Sequence, residues 1–197
     1  SYKNIRIRTA MLILLLTGLR RGELCGLEWS DIDFENKTLT VRRSVVYVSG
    51  FGVFEKEPKT HGSKRTIAVS DSLLHFLSEY RIYQADLKNR CGDYMKPSEK
   101  LFTSERGELI HPATVETWMK IVLRDSGMPH FTLHSLRHTN ITLQIAAGIP
   151  LVTVSARAGH SRTSTTGDIY SNVIQSGDRR AAEAIESFFS EPKKENT

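Results

Sequence analysis

Apolar positions recur at helical spacing over most of the chain and alternate with polar positions in only one central region. Ile5 to Leu16 is a mostly apolar run that predicts a buried helix, interrupted at Thr17-Gly18. The next segment, LRRGELCGLEW, has Leu19, Glu23 and Leu27 at helical spacing and predicts a short second helix. The chain therefore opens with two helices separated by a glycine turn.

β-Branched residues concentrate in the central region, where three runs are separated by turns. The runs are TLTVRRSVVYV, FGVFEKE and KRTIAVS, and the turns fall at Ser49-Gly50 and around His61-Gly62. Short β-branched runs joined by glycine-containing turns are typical of hairpins. This region predicts one small antiparallel sheet of about three strands, with the turn SDIDFENK leading into it.

Helices dominate again from Asp71 onward. SDSLLHFLSEYRIYQADLKNR is amphipathic, with a polar N-cap at Ser70 or Asp71, and a polar loop follows from Cys91 to about Ile110. Three more helices are predicted, with ends marked by Pro112, Gly127, Thr132, Gly148 and Pro150. GDRRAAEAIESFF predicts a last amphipathic helix before a frayed tail. The predicted class is a mainly α (α+β) domain with one small sheet.

Composition and charge indicate an anionic partner. The 197 residues can bury one core, and their formal charge of +5 favours a polyanion such as nucleic acid. The two cysteines, Cys25 and Cys91, lie far apart, which excludes a cysteine zinc site and a disulfide scaffold and suits a reducing cytosol. The longest apolar run, Ala10 to Leu16, is too short to span a membrane and lacks the flanks of a signal peptide.

Three basic segments carry candidate chemistry. His134 and Arg137 are three residues apart on a predicted helix, where they share a face and offer a proton-transfer group beside a planar donor for phosphate. Arg20 begins a helix with Glu23 one turn further on, in a position to orient it. Each pattern alone is also typical of an ordinary solvated helix surface. Four cations surround a predicted hairpin turn: Lys56, Lys59, Lys64 and Arg65.

The segment ARAGHSRTSTTGDIYSNV raises the question of what Tyr170 does. A phenol with a pKa near 10 is a poor nucleophile unless cations and a base surround it. The basic segments supply such groups, and they also suit the charge that gathers on a phosphate during displacement. No acidic cluster has metal-ligand spacing. The residues together favour a transfer of a phosphodiester onto tyrosine that needs neither a metal nor another cofactor.

In order and spacing these motifs resemble the catalytic domain of the tyrosine recombinases, the phage integrase family. The matching motifs are TGLRRGEL, PKTHGSKRTI, HSLRHT and GHSRTSTTGDIYSNV, which span Thr17 to Val173. The chain looks closest to integrases of phages and conjugative transposons. The resemblance implies a helical, DNA breaking–rejoining fold over residues 1–176. It implies that residues 177–197 form a C-terminal helix and tail, packed in cis or lent to a neighbouring subunit.

The resemblance also implies a role for each matching residue. Arg20 and Arg137 are expected to contact the scissile phosphate, His134 to accept a proton near the tyrosine, and His160 to hydrogen-bond a phosphate oxygen. Tyr170 is the implied nucleophile. The general acid is implied at Lys59, with Lys64 as the alternative. Further DNA-binding candidates are Arg21, Lys56, Lys64, Arg65 and Arg162.

The implied reaction is site-specific DNA recombination through a 3′-phosphotyrosyl intermediate, without ATP. Implied partners are double-stranded DNA, three further copies in a tetramer, and possible excisionase and host DNA-bending proteins. The implied location is the cytoplasm of a bacterium, at the nucleoid. Family members carry core-binding and often arm-binding domains ahead of this region. Since neither is present and the chain does not begin with methionine, we expect it to be a fragment.

Two other functions remain open from the sequence. A type IB topoisomerase shares the tyrosine chemistry but relaxes supercoils by rejoining the same strand without partner subunits. A DNA-binding or regulatory module without catalysis is the second alternative, although the full set of six matching residues argues against it. Relaxation of supercoiled DNA without a paired recombination site would favour the topoisomerase.

Overall fold

The structure, a computed structural model, describes residues 4–57 and 64–160. Six α-helices lie in this part of the chain: α1 (Ile5–Thr17), α2 (Arg21–Gly26), α3 (Asp71–Cys91), α4 (Pro112–Ser126), α5 (Leu133–Ala146) and α6 (Leu151–Ala158). Five short strands accompany them: β1 (Ile32–Asp33), β2 (Thr38–Val41), β3 (Ser44–Val48), β4 (Gly52–Lys56) and β5 (Arg65–Ala68). The predicted mainly α class with a small antiparallel component is confirmed. The last predicted helix lies outside the described residues.

The helix ends follow the capping residues that the sequence contains. Ser70 accepts a hydrogen bond from the Leu73 backbone N–H, so Ser70 rather than Asp71 caps α3. Thr132 caps α5 through the Ser135 N–H, and Gly127 ends α4 in the left-handed region with φ 64°. The second predicted helix is shorter than expected because the backbone at Leu27 is already extended.

The central strands form two sheets instead of the predicted one. β2 pairs with β1 and with β5, so the first sheet has the order β1-β2-β5, whereas β3 pairs with β4 in a separate hairpin. The run TLTVRRSVVYV breaks at Arg42-Arg43, because Arg43 turns inward to donate hydrogen bonds to the Gly26 carbonyl and the Asp31 carboxylate. The predicted pairing of FGVFEKE with KRTIAVS is therefore wrong, because β4 pairs with β3 and β5 pairs with β2.

α1 lies at the centre of the core, where it contacts α3, α4 and α5. The predicted polar loop between residues 91 and 110 contributes to this core, since Leu101 and Phe102 are fully buried. Tyr80 of α3 donates a 2.9 Å hydrogen bond to the Leu101 carbonyl, which fixes this segment against the helix. Among the described helices, none has the length and apolar character needed to cross a bilayer.

Candidate active site

Arg20 stands at the turn between α1 and α2, with its guanidinium directed at the end of α6. Its Nη1 donates to Glu23 Oε1 at 3.0 Å, and its Nη2 donates to the Gly159 carbonyl at 3.0 Å. The predicted orientation of Arg20 by Glu23 is thus present in the structure. Because 47% of the Arg20 side chain is exposed, its open side faces solvent, where an anion has access.

Glu23 is buried and serves two arginines at once. Its carboxylate accepts hydrogen bonds from the Arg20 backbone N–H and guanidinium and from both terminal nitrogens of Arg65. Burial alone raises the pKa of the Glu23 carboxyl, but hydrogen bonds and charge from Arg65 and then Arg20 outweigh it and lower that pKa. The carboxylate is therefore ionised and fixes the relative position of the two guanidinium groups.

Arg137 lies on α5 and is almost fully buried, with 4% exposure. Its Nη1 donates to the Gly18 carbonyl at 2.5 Å and its Nη2 donates to the Ala158 carbonyl at 2.6 Å. The side chain thereby connects α5 to the turn before Arg20 and to the end of α6.

Three guanidinium groups consequently meet three consecutive carbonyls at the C-terminus of α6. Arg65 Nε donates to the Arg157 carbonyl at 2.9 Å, Arg137 to that of Ala158 and Arg20 to that of Gly159. The C-terminal end of a helix carries partial negative charge, so cations are favourable there. Arginines from the turn before α2, from β5 and from α5, distant in the sequence, are brought to one point by this helix end.

The backbone turn after α6 places His160 directly beside these arginines. Gly159 has φ 69°, and the N–H groups of Gly159 and His160 donate back to Ala156 and Ser155, which is a Schellman ending. A Cβ on Gly159 would lie 2.6 Å from Arg65 Nη1, so both the backbone conformation and the packing require glycine.

His160 is electrically neutral at pH 7. Burial first, then the charges of Arg137, Arg20, Arg65 and His138, lower its pKa from 6.5 to about 4. A neutral imidazole has one N–H donor and one acceptor nitrogen, which suits a hydrogen bond to a phosphate oxygen.

His134 and Arg137 face one cleft, as their spacing predicts. The cleft has a volume of about 530 Å³ and is also lined by Arg20, Arg21 and Lys120. The His134 ring packs edge-to-face against His138, with ring centroids 4.3 Å apart. Burial, His134 and Arg137 lower the pKa of His138. Sequence reasoning missed His138 and Lys120; the spacing of four residues from His134 was the available signal for His138.

The other predicted residues occupy different environments. Lys56 ends β4 and is exposed, Lys64 precedes β5 and is exposed, and Arg21 forms an ion pair with Glu116. The Arg65 side chain is only 7% exposed and is bonded within the protein. Lys59, Arg162 and Tyr170 lie outside the described residues.

Metal-ligating side chains do not gather in the described ranges. Within residues 4–57 and 64–160, no three His, Cys, Asp or Glu side chains lie where they would hold a metal ion. The described residues instead bring three guanidinium groups to the end of α6, and such groups suit an anionic ligand.

Known proteins are similar to this chain in sequence and in fold. Residues 1–176 match the phage integrase family. The chain is 37% identical to a tyrosine recombinase XerC-like protein of Caldanaerobacter subterraneus subsp. tengcongensis, over 96% of this chain and 51% of that protein. It is 28% identical to the ICEBs1 integrase of Bacillus subtilis, over 91% of this chain and 48% of that protein.

A solved relative has the same arrangement of elements. The Tn1549 transposon integrase, in complex with circular intermediate DNA, superposes with a TM-score of 0.72 and 25% identity, over 85% of this chain and 56% of that one. The chain spans about half the length of the curated relatives it matches. Sequence motifs, fold and family match agree, and the chain belongs to the phage integrase family of tyrosine recombinases.

Proposed function

We propose that this chain is the catalytic domain of a site-specific DNA recombinase that cuts and rejoins DNA through a 3′-phosphotyrosyl intermediate. The observation that carries the proposal is the meeting of Arg20 and Arg137 at the end of α6, directly before His160, and the cleft that both arginines line together with His134. Preorganised guanidinium and imidazole donors stabilise the charge that gathers on a phosphate in an in-line displacement.

Each proposed step exchanges one ester bond at phosphorus for another and moves two protons. The Tyr170 oxygen attacks phosphorus while its proton passes to His134, and the bond from phosphorus to the 5′ oxygen breaks. Lys59 protonates the departing 5′ oxygen, with Lys64 as the alternative donor. A 5′ hydroxyl of a partner duplex then attacks the phosphotyrosyl link and gives its proton to the general acid residue, while His134 returns a proton to the departing Tyr170 oxygen. Because the phosphotyrosyl ester retains the energy of the phosphodiester, the exchange needs no ATP.

The proposed substrate is double-stranded DNA at the ends of a mobile element. Its support is the formal charge of +5, the exposed lysines Lys56, Lys64 and Lys120, of which Lys120 lines the cleft, and a relative solved with DNA. For the complete protein we propose a homotetramer on DNA, assisted by an excisionase and a host DNA-bending protein. We place its action in the bacterial cytoplasm, at the nucleoid.

A nicked suicide duplex that carries the element's own end sequence tests this function. Cleavage beside the nick releases a short fragment, so the covalent intermediate accumulates. We expect a protein–DNA adduct that survives denaturation and disappears in Tyr170→Phe. Tyr94→Phe is the matched control, since Tyr94 is exposed on the short turn after α3, and it retains the adduct. An undiminished adduct in Tyr170→Phe would contradict the assignment of Tyr170 as the nucleophile.

A further inference from the structure

Arg65 is enclosed within the protein and has a partner for every nitrogen of its guanidinium group. It is the first residue of β5, and its side chain is 7% exposed. All three guanidinium nitrogens donate inside the protein: Nη1 and Nη2 to Glu23 at 3.0 and 2.8 Å, and Nε to the Arg157 carbonyl at 2.9 Å. Arg137 is buried to a similar degree but lines the cleft, whereas Arg65 is not among the residues that line it.

We infer that Arg65 is a positioning residue for strand cleavage, which sets Arg20 through Glu23 and His160 through the end of α6. The inference rests on the proposed function, because it gives Arg65 a part in that same site. It replaces the sequence-based assignment of Arg65 as a DNA contact.

The first connection runs through the Glu23 carboxylate. Oε1 accepts from both Arg65 Nη1 and Arg20 Nη1, while Oε2 accepts from Arg65 Nη2 and the Arg20 backbone N–H. A bidentate arginine–carboxylate pair fixes the plane of the carboxylate as well as its position. Removing the Arg65 fork therefore takes two of the four hydrogen bonds from the Glu23 carboxylate and loosens its hold on the Arg20 guanidinium.

The second connection runs through the backbone turn after α6. Arg65 Nε binds the Arg157 carbonyl, and the guanidinium lies so close to the Gly159 Cα that a Cβ there would be 2.6 Å from Nη1 and 2.9 Å from Cζ. His160 follows Gly159 directly, so the position of its ring depends on this contact. Arg65 is thus bonded both to Glu23, which holds Arg20, and to the end of α6, which leads into His160.

Lysine cannot replace this side chain. An ammonium group is a point charge without the planar fork, so it cannot bind Glu23 bidentately and reach the Arg157 carbonyl together. Arg65→Lys keeps the charge and most of the volume, which makes it a sharper test than Arg65→Ala. The matched control is Arg90→Lys, because Arg90 is exposed on α3 and pairs only with Asp86 among the described residues.

The first measurement is cleavage of the nicked suicide duplex, with salt-dependent binding of the same duplex measured alongside. We expect Arg65→Lys and Arg65→Ala to slow adduct formation about 100-fold, as small displacements of catalytic groups do. Arg90→Lys cleaves at the wild-type rate. The slope of log affinity against log salt stays unchanged in Arg65→Ala, whereas loss of a true phosphate contact makes this negative slope shallower by about 0.9.

The second measurement needs no DNA. Titration of the His160 ring by NMR in the free chain reports how that ring is enclosed. Wild-type His160 stays neutral down to about pH 4, since burial and nearby cations lower its pKa. In Arg65→Lys the positive charge remains but the turn is released, so the His160 pKa rises towards its ordinary value. A residue that only supports the fold would leave the His160 titration of the folded variant unchanged.

The outcomes separate the inference from the function on which it rests. Slow cleavage, an unchanged salt slope and a raised His160 pKa together support a positioning role. A reduced salt slope with an unchanged His160 titration makes Arg65 a DNA contact and overturns it. Failure of both variants to fold also overturns it, by making Arg65 a core residue. If the wild-type chain forms no adduct, the proposed function fails, while the His160 titration still decides whether Arg65 holds the turn.

Discussion

Arg137 donates a 2.5 Å hydrogen bond to the carbonyl of Gly18, although the two residues are 119 positions apart. The helix that carries His134 and Arg137 is thereby bonded to the turn that carries Arg20. One tight turn thus determines the relative position of two of the arginines that we propose to contact the phosphate.

Gly18→Ala will destabilise the protein and slow cleavage. Gly18 has φ 68°, and a Cβ there would lie 2.7 Å from Asn140 Oδ1. Asn140 cannot easily move away, because its Nδ2 donates to the Leu15 carbonyl and its Oδ1 accepts from Gln144. We expect the free energy of unfolding, measured with urea, to fall by about 2 kcal/mol, and adduct formation to slow as Arg137 is displaced.

Gly50→Ala is the matched control for this substitution. Gly50 has a similar positive φ of 84°, but no atom lies within 4 Å of a Cβ there. We expect Gly50→Ala to lower the free energy of unfolding only by the cost of backbone strain, about 1 kcal/mol, and to cleave normally. Equal losses in the two variants would show that contact with Asn140 does not matter.

Glu23→Gln will remove the negative charge that two buried or half-buried arginines share. A partner lost from a buried ion pair leaves an uncompensated charge, so we expect a loss of about 3 kcal/mol in the free energy of unfolding at neutral pH. Glu116→Gln, which breaks the exposed pair with Arg21, changes it by less than about 1 kcal/mol. Urea denaturation of both variants checks this difference, and similar small losses would contradict a structural role for the Glu23 charge.

The pH dependence of Glu23 has a defined sign. Its folded pKa is lowered from 4.5, so the stability it contributes is present above that value and is lost as the pH falls below it. Glu23→Gln should therefore lose less stability than the wild type in this acidic range. Unfolding measured on both sides of pH 4.5 tests the sign.

His160 gives the protein a second acid sensitivity, at higher pH. Between its ordinary pKa of 6.5 and its folded pKa of about 4, the unfolded chain binds a proton that the folded chain excludes. The free energy of unfolding therefore falls as the pH falls through this window. His160→Gln will flatten the decline without abolishing it, because the lowered pKa of His138 acts in the same direction. Equal slopes in wild type and variant would contradict the enclosure of His160.

A substrate with a changed leaving group shows whether Lys59 or Lys64 is the general acid. A substrate with a 5′-bridging phosphorothiolate releases a thiolate, which needs no proton donor. We expect this substrate to restore cleavage by Lys59→Ala to near the wild-type rate, and to leave the defect of Tyr170→Phe unchanged. Rescue of Lys64→Ala in place of Lys59→Ala would move the acid role to Lys64, which is exposed directly before β5.

The helices could be predicted from the sequence because their causes are local. Apolar spacing, the caps Ser70 and Thr132, and Gly127 act within one or two turns of the residues they affect. The pairing of Arg20 with Glu23 is local in the same sense, since it spans three residues. The cation-rich motifs also identified the family, because their order along the chain is itself a property of the sequence.

The sheets and the enclosure of Arg65 were decided only by the tertiary structure. The strand run breaks at Arg42-Arg43 because Arg43 reaches Asp31 and Gly26, contacts that no strand propensity contains. Arg65 reads as one more exposed cation in a basic turn, yet its partners Glu23 and Arg157 are 42 and 92 residues away. Charge and spacing along the chain specify which groups are available. Burial and long-range hydrogen bonds then determine which cation stays open to solvent and which one is bonded inside the protein.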